Sequence, residues 1–369
     1  MPAFLRYFNS LKRFDWILFG SVFLLISFGL AAIYSIAISA EQPDMVIFKK
    51  QIIFAIIGLA ILFFLASINY HFIHDFSYLI YLGSFILLVL VLFLGRTIKG
   101  TTGWFSIFGF FNLQPVELAK ASLIVFLAWF LSRKSDSIKE FRNFFVAGVI
   151  TLVYVGLVIL QPDFGSAMIL FLIWLFLMIF SGANKKHLAL LALALILSGL
   201  MAWFFFFAPY QKERIKTFLN PQANPYSTGY HVRQAITAVG AGGVLGRGLG
   251  FGSQSQLKFI PEAETDFIFA VIAEELGFLG VSLVLFLFGL VFTRLIRAAK
   301  LMKDNFSLLF VFGLSILIFC QMMINIGMNI GVVPVTGISL PFLSYGGSFL
   351  VVMLALVGIV ENMIIRNQA

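Results

Sequence analysis

The chain has 369 residues, of which 61% are hydrophobic and only 11% are charged. A soluble domain is about a quarter charged, so this composition excludes a water-soluble globular protein and predicts a protein of the lipid bilayer. The net charge of +9 comes from basic residues beside apolar runs, which is the positive-inside pattern of membrane proteins, and we therefore expect no nucleic acid partner.

Apolar runs of about the twenty residues that cross a bilayer recur along the whole chain. They predict ten transmembrane helices, at about 15–38, 50–67, 75–94, 115–131, 143–160, 162–181, 187–207, 266–294, 306–332 and 348–365. The longest non-apolar stretch, about 209–265, lies between the seventh and eighth helices and is predicted to be a large extracytoplasmic loop. The predicted fold class is an all-α polytopic membrane protein, with one integral-membrane domain over residues 1–369.

The basic residues also predict the orientation of the helices. With the N-terminus inside, the inner segments carry 14 Lys and Arg residues, whereas the short outer loops carry four. Positive charge favours the cytoplasmic side, so we expect both termini inside, an N-in/C-in arrangement. Nine of the ten prolines then fall in outer loops or at outer helix ends, which indicates that irregular backbone is concentrated on the outer side.

This orientation places polar residues at the outer ends of four helices. The fourth, sixth, eighth and tenth predicted helices begin outside, and their first turns contain Glu117, Lys120, Asp163, Ser166, Thr265, Asp266, Ser344, Tyr345, Gly346, Gly347 and Ser348. Helix N-termini present free N–H groups and the positive end of the helix dipole, so four of them together predict an anion site. A phosphorylated lipid with a reacting hydroxyl nearby would use both that site and the carboxylates beside it.

These residues also have purely structural interpretations. Glu117 and Lys120 stand three apart and can neutralise each other on one helix face. Asp163 follows a proline and can cap the sixth helix, and the stretch 344–348 can be a tightly packed helix entry.

Other polar residues within the apolar runs are expected to be structural. Asn325 and Asn329 stand four apart and predict interhelical hydrogen bonds. His71 and His74 have no third His or Cys nearby, and Cys320 is the single cysteine, so neither a metal site nor a disulfide within the chain is predicted.

A glycine-rich segment precedes the eighth helix. Seven of the thirteen residues from 240 to 252 are glycine, which suits close backbone approach and unusual dihedral angles. Their spacing fits neither the dinucleotide fingerprint nor the Walker A pattern, so a soluble nucleotide cofactor is not predicted. We expect this segment to close over a lipid-linked sugar, with the deeper Glu274 and Glu275 of less importance.

Asp266 stands at the entrance to the eighth helix and has two interpretations. It can cap the helix together with Thr265. However, Glu262 and Glu264 crowd it with like charge, which favours a carboxyl group that accepts a proton, as a general base does.

At these residues the sequence resembles the shape, elongation, division and sporulation (SEDS) family, over essentially the whole chain. The matching strings are QPVELAK at 114–120, QPDFG at 161–165, the glycine-rich segment 240–252, TDFIFAVIAEE at 265–275 and PVTGISLPFLSYGGS at 334–348. The last two strings are long and specific. Within the family, the short N-terminus and residues 230–234 are more similar to the rod-shape (RodA-like) branch than to the division (FtsW-like) branch.

The resemblance implies a ten-helix peptidoglycan glycosyltransferase in the bacterial cytoplasmic (inner) membrane. Such an enzyme polymerises lipid II, an undecaprenyl-linked disaccharide pentapeptide, at the outer face during cell elongation. It works with a class B penicillin-binding protein, a transpeptidase, and is surrounded by membrane lipid. The family's essential acid matches Asp266, its Glu and Lys on the fourth helix match Glu117 and Lys120, and its acid on the sixth helix matches Asp163.

Two positions depart from the family pattern. Gly103 precedes Trp104 where family members often have Arg, which removes one expected phosphate contact. Glu264 precedes Thr265 where His is frequent, which alters the charge around Asp266.

The resulting hypothesis gives each residue a role. Asp266 is the catalytic base that takes the proton from the acceptor sugar's 4-hydroxyl, which attacks C1 of the donor sugar as undecaprenyl diphosphate leaves. Lys120, positioned by Glu117, stabilises the leaving charge together with the helix N-termini. Asp163 orients either a polar partner or a divalent cation such as Mg2+, which is the one cofactor that the hypothesis allows. The remaining substrate-binding residues are Ser344, Tyr345, Gly346 and Gly347.

Two other functions fit the same composition. A transporter (flippase) of the lipid-linked precursor would also carry intramembrane charge, although the polar residues cluster at one leaflet and no inverted repeat is evident. A non-catalytic scaffold for the transpeptidase would keep polymerisation intact after Asp266→Asn. A reconstituted flipping assay and a direct polymerisation assay separate the three functions.

Overall fold

The computed structural model describes residues 13–38, 44–98, 100–107, 111–206, 212 and 228–368. Its helices are α1 (Trp16–Ile38), α2 (Val46–Ser67), α3 (His71–Asp75), α4 (Ser77–Leu94), α5 (Pro115–Ser132), α6 (Phe141–Ile159), α7 (Phe164–Phe180), α8 (Lys185–Met201), α9 (Thr228–Ala241), α10 (Ser253–Gln256), α11 (Ile268–Leu301), α12 (Asn305–Asn329) and α13 (Gly347–Asn367). Three short strands, β1 (Arg96–Ile98), β2 (Thr101–Ile107) and β3 (Phe111–Leu113), form an antiparallel sheet in the order β1-β2-β3.

The predicted polytopic helical membrane fold is confirmed. Over the described part of the chain, nine helices are long and apolar enough to cross a membrane, when α8 is counted with its π-helical continuation to Phe205, and α7, with 17 residues, is a shorter apolar helix. Each predicted span coincides with one of these ten helices. The count of ten crossings and the N-in/C-in orientation stay predictions, and three of the basic residues behind that orientation, Arg6, Lys12 and Lys99, lie outside the described residues.

The structure adds three features to the prediction. The loop before α5 folds into the small sheet, and the described end of the long loop contains α9 and α10. Helix α11 continues to Leu301, beyond the expected end at 294, because the residues after Arg294 are mostly good helix formers. Most of residues 209–227 lie outside the described residues.

The core of the bundle consists of α5, α12 and α13, whose residues are mostly buried. Helix α13 packs along α2, α11 packs along α1, and α12 contacts α5, α7 and α11. Small residues allow the closest of these approaches: a Cβ on Gly358 of α13 would lie 2.5 Å from the Leu62 carbonyl oxygen of α2. These contacts fix the relative positions of the helix N-termini that form the site.

An ion cluster lies at the opposite end of the bundle, where α1 begins. Arg294 Nε donates to Asp15 Oδ2 at 2.8 Å, and the Asp15 N–H donates to Glu361 Oε2 at 2.9 Å. Asp15 and Glu361 are buried. Since charge is costly at such positions unless it is paired, the cluster ties α1, α11 and α13 together.

Candidate active site

One cavity of about 630 Å³ lies where the N-termini of four helices meet. It is bordered by the starts of α5, α7, α11 and α13, by α2, by the sheet, and by the turn 335–339. Its polar lining residues are Lys50, Thr101, Asn112, Gln114, Glu117, Asp163, Thr265, Asp266, Thr336, Ser339, Tyr345 and Ser348. The four polar helix starts singled out in the sequence are thus brought together in one place.

Asp266 lies in a tight turn directly before α11 and lines the cavity, half-buried. The carbonyl oxygen of Glu262 accepts hydrogen bonds from the N–H groups of Thr265, Asp266 and Phe267 at 3.1–3.3 Å, which closes this turn. Glu262 itself has a φ of 55°, in the left-handed region. The carboxylate lies beside Gly337, where a Cβ would be 3.7 Å from Asp266 Oδ2.

Glu117 and Lys120 form a buried ion pair on α5. Lys120 Nζ donates to Glu117 Oε1 at 2.8 Å, and the two residues are 2% and 7% exposed. Glu117 lines the cavity, whereas Lys120 lies behind it, with Nζ 5.7 Å from the centre of the Phe349 ring. The geometry therefore fits the interpretation in which the two side chains neutralise each other. Lys120 can affect a substrate only through its ion pair with Glu117.

Asp163 is a helix cap, as one of its two interpretations predicted, and it also lies on the cavity wall. Its Oδ1 accepts a hydrogen bond from the Ser166 N–H at 2.9 Å and so caps α7. The residue also lines the cavity, next to Pro162.

The turn before α13 supplies a third wall of the cavity. Of the four substrate-binding residues predicted in this turn, Tyr345, Gly346 and Gly347 line the cavity and Ser344 does not. Ser344 is buried, and its hydroxyl donates to the Thr265 carbonyl oxygen at 2.6 Å, so it joins this turn to the segment that carries Asp266.

Tyr345 contributes a hydroxyl group to this wall. Its N–H donates to the Glu264 carbonyl oxygen at 2.8 Å, which joins the same two segments a second time. Burial raises the pKa of the Tyr345 phenol, so it stays a neutral hydroxyl that can donate a hydrogen bond.

The glycine-rich segment 240–252 does not have its expected position. None of its residues lines the cavity. It packs instead on α11, where a Cβ on Gly242 would collide with the Ala273 carbonyl oxygen and one on Gly246 with that of Glu275. Its glycines permit this backbone-to-backbone contact and do not form a lid over the cavity.

Glu274 holds α10, which follows that segment, and Glu275 links α11 to α1, so both are more important to the fold than expected. Glu274 Oε1 accepts from the Gln254 N–H at 2.8 Å and Oε2 from the Ser255 N–H at 2.9 Å. Glu275 Oε1 accepts from the Ser35 hydroxyl of α1 at 2.6 Å. Both carboxylates are almost fully buried.

Sequence reasoning missed Lys50, Asn112 and Thr336. Lys50 was counted only as an outer basic residue, yet it is the one cation among the described residues that line the cavity. Thr336 Oγ1 is buried with no hydrogen-bond partner in the described part of the chain. Trp104, which follows the unusual Gly103, does line the cavity.

No three His, Cys, Asp or Glu side chains converge as a metal site anywhere in the described ranges. Glu117, Asp163 and Asp266 all line the same cavity, so its charge is dominated by carboxylates. An anionic ligand would therefore depend on the helix N-termini and on Lys50.

Comparison with known proteins identifies relatives that match along almost the whole chain. The family described as "Cell cycle protein", which covers FtsW, RodA and SpoVE, matches residues 15–368. Stage V sporulation protein E of Bacillus subtilis (strain 168) is 40% identical over 348 residues, which cover 92% of this chain and 93% of that protein. The "Probable peptidoglycan glycosyltransferase FtsW" of Geobacter sp. (strain M18) is 34% identical over 367 residues, 98% of this chain and 99% of the relative.

Solved structures share the fold. A chain from the study "Structural coordination of polymerization and crosslinking by a peptidoglycan synthase complex" superposes with a TM-score of 0.83 at 31% identity, covering 96% of this chain and 98% of that chain. The rod shape determining protein RodA of Thermus thermophilus superposes with a TM-score of 0.71 at 30% identity, covering 96% and 97%.

Proposed function

Because the chain belongs to the SEDS family, the family of FtsW, RodA and SpoVE, we propose that its cavity is the active site of a peptidoglycan glycosyltransferase that polymerises lipid II. The enzyme class is that of the curated relatives named peptidoglycan glycosyltransferase. The chain is a multi-pass protein of the bacterial cytoplasmic membrane. Asp266 in one cavity with four helix N-termini is the observation that carries the proposal.

Asp266 acts as the general base. It takes the proton from the 4-hydroxyl of the acceptor sugar, and that oxygen attacks C1 of the donor sugar. The bond from C1 to the diphosphate oxygen breaks, and undecaprenyl diphosphate leaves with the electron pair. The half-buried position of Asp266 on the cavity wall suits this role, because the carboxylate faces a space large enough for a sugar.

The leaving diphosphate is stabilised by the helix N-termini and by Lys50. The N-termini of α5, α7, α11 and α13 border the cavity, and their N–H groups and dipoles favour an anion there. Lys50 adds a full positive charge on the wall formed by α2. Lys120 contributes indirectly, because its ammonium group reduces the negative charge of Glu117 within the same cavity.

Asp163 and the 345–347 turn position the substrate. Asp163 can orient a sugar hydroxyl or a divalent cation such as Mg2+ with the part of its carboxylate that does not cap α7. Tyr345, Gly346 and Gly347 line the part of the cavity wall formed by the turn before α13.

Purified protein incubated with lipid II tests this proposal directly. General-base catalysis contributes about 10²–10⁴-fold, so Asp266→Asn and Asp266→Ala are expected to lower the rate of glycan polymerisation by that order while the protein stays folded. Normal polymerisation by a folded Asp266→Ala protein would show that Asp266 is not the general base. Flipping of lipid II in vesicles that depends on Asp266 would favour the transporter instead.

We assign the protein to cell elongation, with a class B penicillin-binding protein as its transpeptidase partner. The solved complex that joins polymerisation to crosslinking supports such a partner, and the similarity to RodA supports elongation. The sequence relatives carry the names FtsW and stage V sporulation protein E, so the division and sporulation roles are the competing assignments. Fluorescently tagged protein along the lateral wall supports elongation, whereas tagged protein confined to the septum overturns it.

A further inference from the structure

The carbonyl oxygen of Asp266 is held by two buried amides of α12. Asn325 Nδ2 donates to it at 2.9 Å and Asn329 Nδ2 donates to it at 3.0 Å. Both asparagines are fully buried. We infer that Asn325 and Asn329 are positioning residues that place Asp266 at the cavity wall, an inference that rests on the proposed function of Asp266.

Asn329 takes the place of a main-chain hydrogen bond in the first turn of α11. While its Nδ2 donates to the Asp266 carbonyl, its Oδ1 accepts from the Ala270 N–H at 3.1 Å. In a regular helix the carbonyl of residue 266 would accept from the N–H of residue 270. The side-chain amide therefore lies between these two groups in place of that bond and keeps Asp266 outside the regular helix, while the Ala270 N–H also donates to the Phe267 carbonyl oxygen at 3.0 Å.

Asn325 connects the same carbonyl to the opposite wall of the cavity. Its Nδ2 also donates to the Ile338 carbonyl oxygen at 2.7 Å, in the turn that contains Gly337 and borders the Asp266 carboxylate. One amide thus sets the distance between the segment that carries Asp266 and the turn that faces it.

The two asparagines also hold each other in place. Asn329 Nδ2 donates to the Asn325 carbonyl oxygen at 2.8 Å. A buried polar network in which every member is bonded restricts its residues to one arrangement. A general base must lie within hydrogen-bond reach of the proton it takes, and a displacement of about 1 Å can lower a rate by about 10²-fold. The network therefore acts on the chemical step and not on substrate affinity.

The test compares three single variants in the lipid II polymerisation assay with the full-length protein. Asn325→Ala and Asn329→Ala are expected to lower kcat by about 10- to 100-fold and to leave KM within about twofold. Asn362→Ala is the matched control, because Asn362 is an equally buried amide that donates to the Ala66 carbonyl at 2.7 Å and accepts from the Tyr70 N–H at 3.0 Å, far from the cavity. Asn362→Ala is expected to lower thermal stability as much as Asn329→Ala does and to keep kcat within about twofold.

A double variant shows whether Asn329 acts through Asp266. When Asn329→Ala is added to Asp266→Asn, the residual rate is expected to fall by less than about twofold, because the group that Asn329 positions has already lost its function. If Asn329→Ala does not yield folded protein, Asn325→Ala and the smaller change Asn329→Ser provide the same measurement.

The outcomes separate this inference from the proposed function. A kcat for Asn329→Ala within twofold of the unaltered protein, or an equal loss in Asn362→Ala, overturns the positioning role. If Asp266→Asn is inactive at the same time, the proposed function still stands. Full activity of Asp266→Asn overturns both.

Discussion

Lys120 Nζ donates to Glu117 Oε1 at 2.8 Å, yet it is the carboxylate and not the ammonium group of this pair that lines the cavity. The pair is almost completely buried, on one of the most buried helices of the bundle. A buried carboxylate is tolerated there because its countercharge lies one helical turn away. Lys120 thus supports the charge balance of the cavity from behind its wall.

Removal of Lys120 is expected to destabilise the protein strongly. Lys120→Met leaves Glu117 buried without its countercharge, and breaking a buried pair from one side costs about 3–5 kcal/mol. Because an apolar replacement of both partners is close to neutral, the double variant Lys120→Met with Glu117→Leu should recover most of that loss. Thermal unfolding in detergent compares the two variants. A single variant as stable as the unaltered protein would contradict the prediction.

Replacement of Lys50 tests the electrostatic part of the mechanism. Lys50→Met is expected to lower the polymerisation rate by about 10- to 100-fold, because a hydrogen bond to a charged group contributes about 1.5–3 kcal/mol and about 1.4 kcal/mol is a factor of ten. Lys49→Met is the matched control, since the neighbouring Lys49 is exposed and does not line the cavity. Equal effects of the two replacements would show that Lys50 acts only through the general surface charge.

The helices could be predicted from the sequence because each apolar run alone satisfies the length that a bilayer requires. The helix starts at Glu117, Asp163 and Asp266 could be predicted to meet because the orientation of the helices follows from the distribution of basic residues. Local patterns are sufficient for both inferences. The predicted roles of these side chains remain predictions.

The features that could not be predicted from the sequence depend on contacts between segments that are distant along the chain. Lys50 reaches the cavity because Gln51, its neighbour on α2, accepts from the Gly346 N–H at 3.2 Å and fixes α2 against the start of α13. Interhelical hydrogen bonds of Asn325 and Asn329 could be expected, but their shared partner, the Asp266 carbonyl, could not. The glycine-rich segment has no apolar periodicity that would show which helix it contacts.

Alanine at Gly242 and at Gly240 distinguishes the effect of tight packing from the effect of backbone flexibility in the glycine-rich segment 240–252. Gly242→Ala is expected to destabilise the protein by about 1–3 kcal/mol, because overpacking at a backbone contact forces the main chain to shift, and here the Cβ would collide with the Ala273 carbonyl oxygen. Gly240→Ala is the matched control, since a Cβ there has no neighbour within 4 Å and the residue is near the end of α9. This control should be neutral or stabilising by about 0.5–1 kcal/mol. Thermal unfolding of the two variants measures the difference, and equal stabilities would contradict the contact.

The two buried glutamates of α11 differ in which of their oxygens accept hydrogen bonds, so replacement by glutamine should affect residues 250–258 in one case and not in the other. Both oxygens of Glu274 accept main-chain N–H groups, from Gln254 and Ser255. In Glu274→Gln the new amide group must face one of these donors, which leaves a buried N–H unsatisfied at a cost of about 1–3 kcal/mol.

Glu275→Gln should keep the hydrogen bonds to residues 250–258, and it is the matched control for this prediction. Oε1 of Glu275 accepts all of its described hydrogen bonds, from Ser35, Gln256 and Gly250, while Oε2 has no partner in the described part of the chain. A glutamine can keep its carbonyl oxygen at the first position and place its amide at the second. Hydrogen exchange measured by mass spectrometry over residues 250–258 should therefore be about 10- to 100-fold faster in Glu274→Gln and little changed in Glu275→Gln. Equal exchange in both variants would show that the Glu274 carboxylate does not hold α10 on α11.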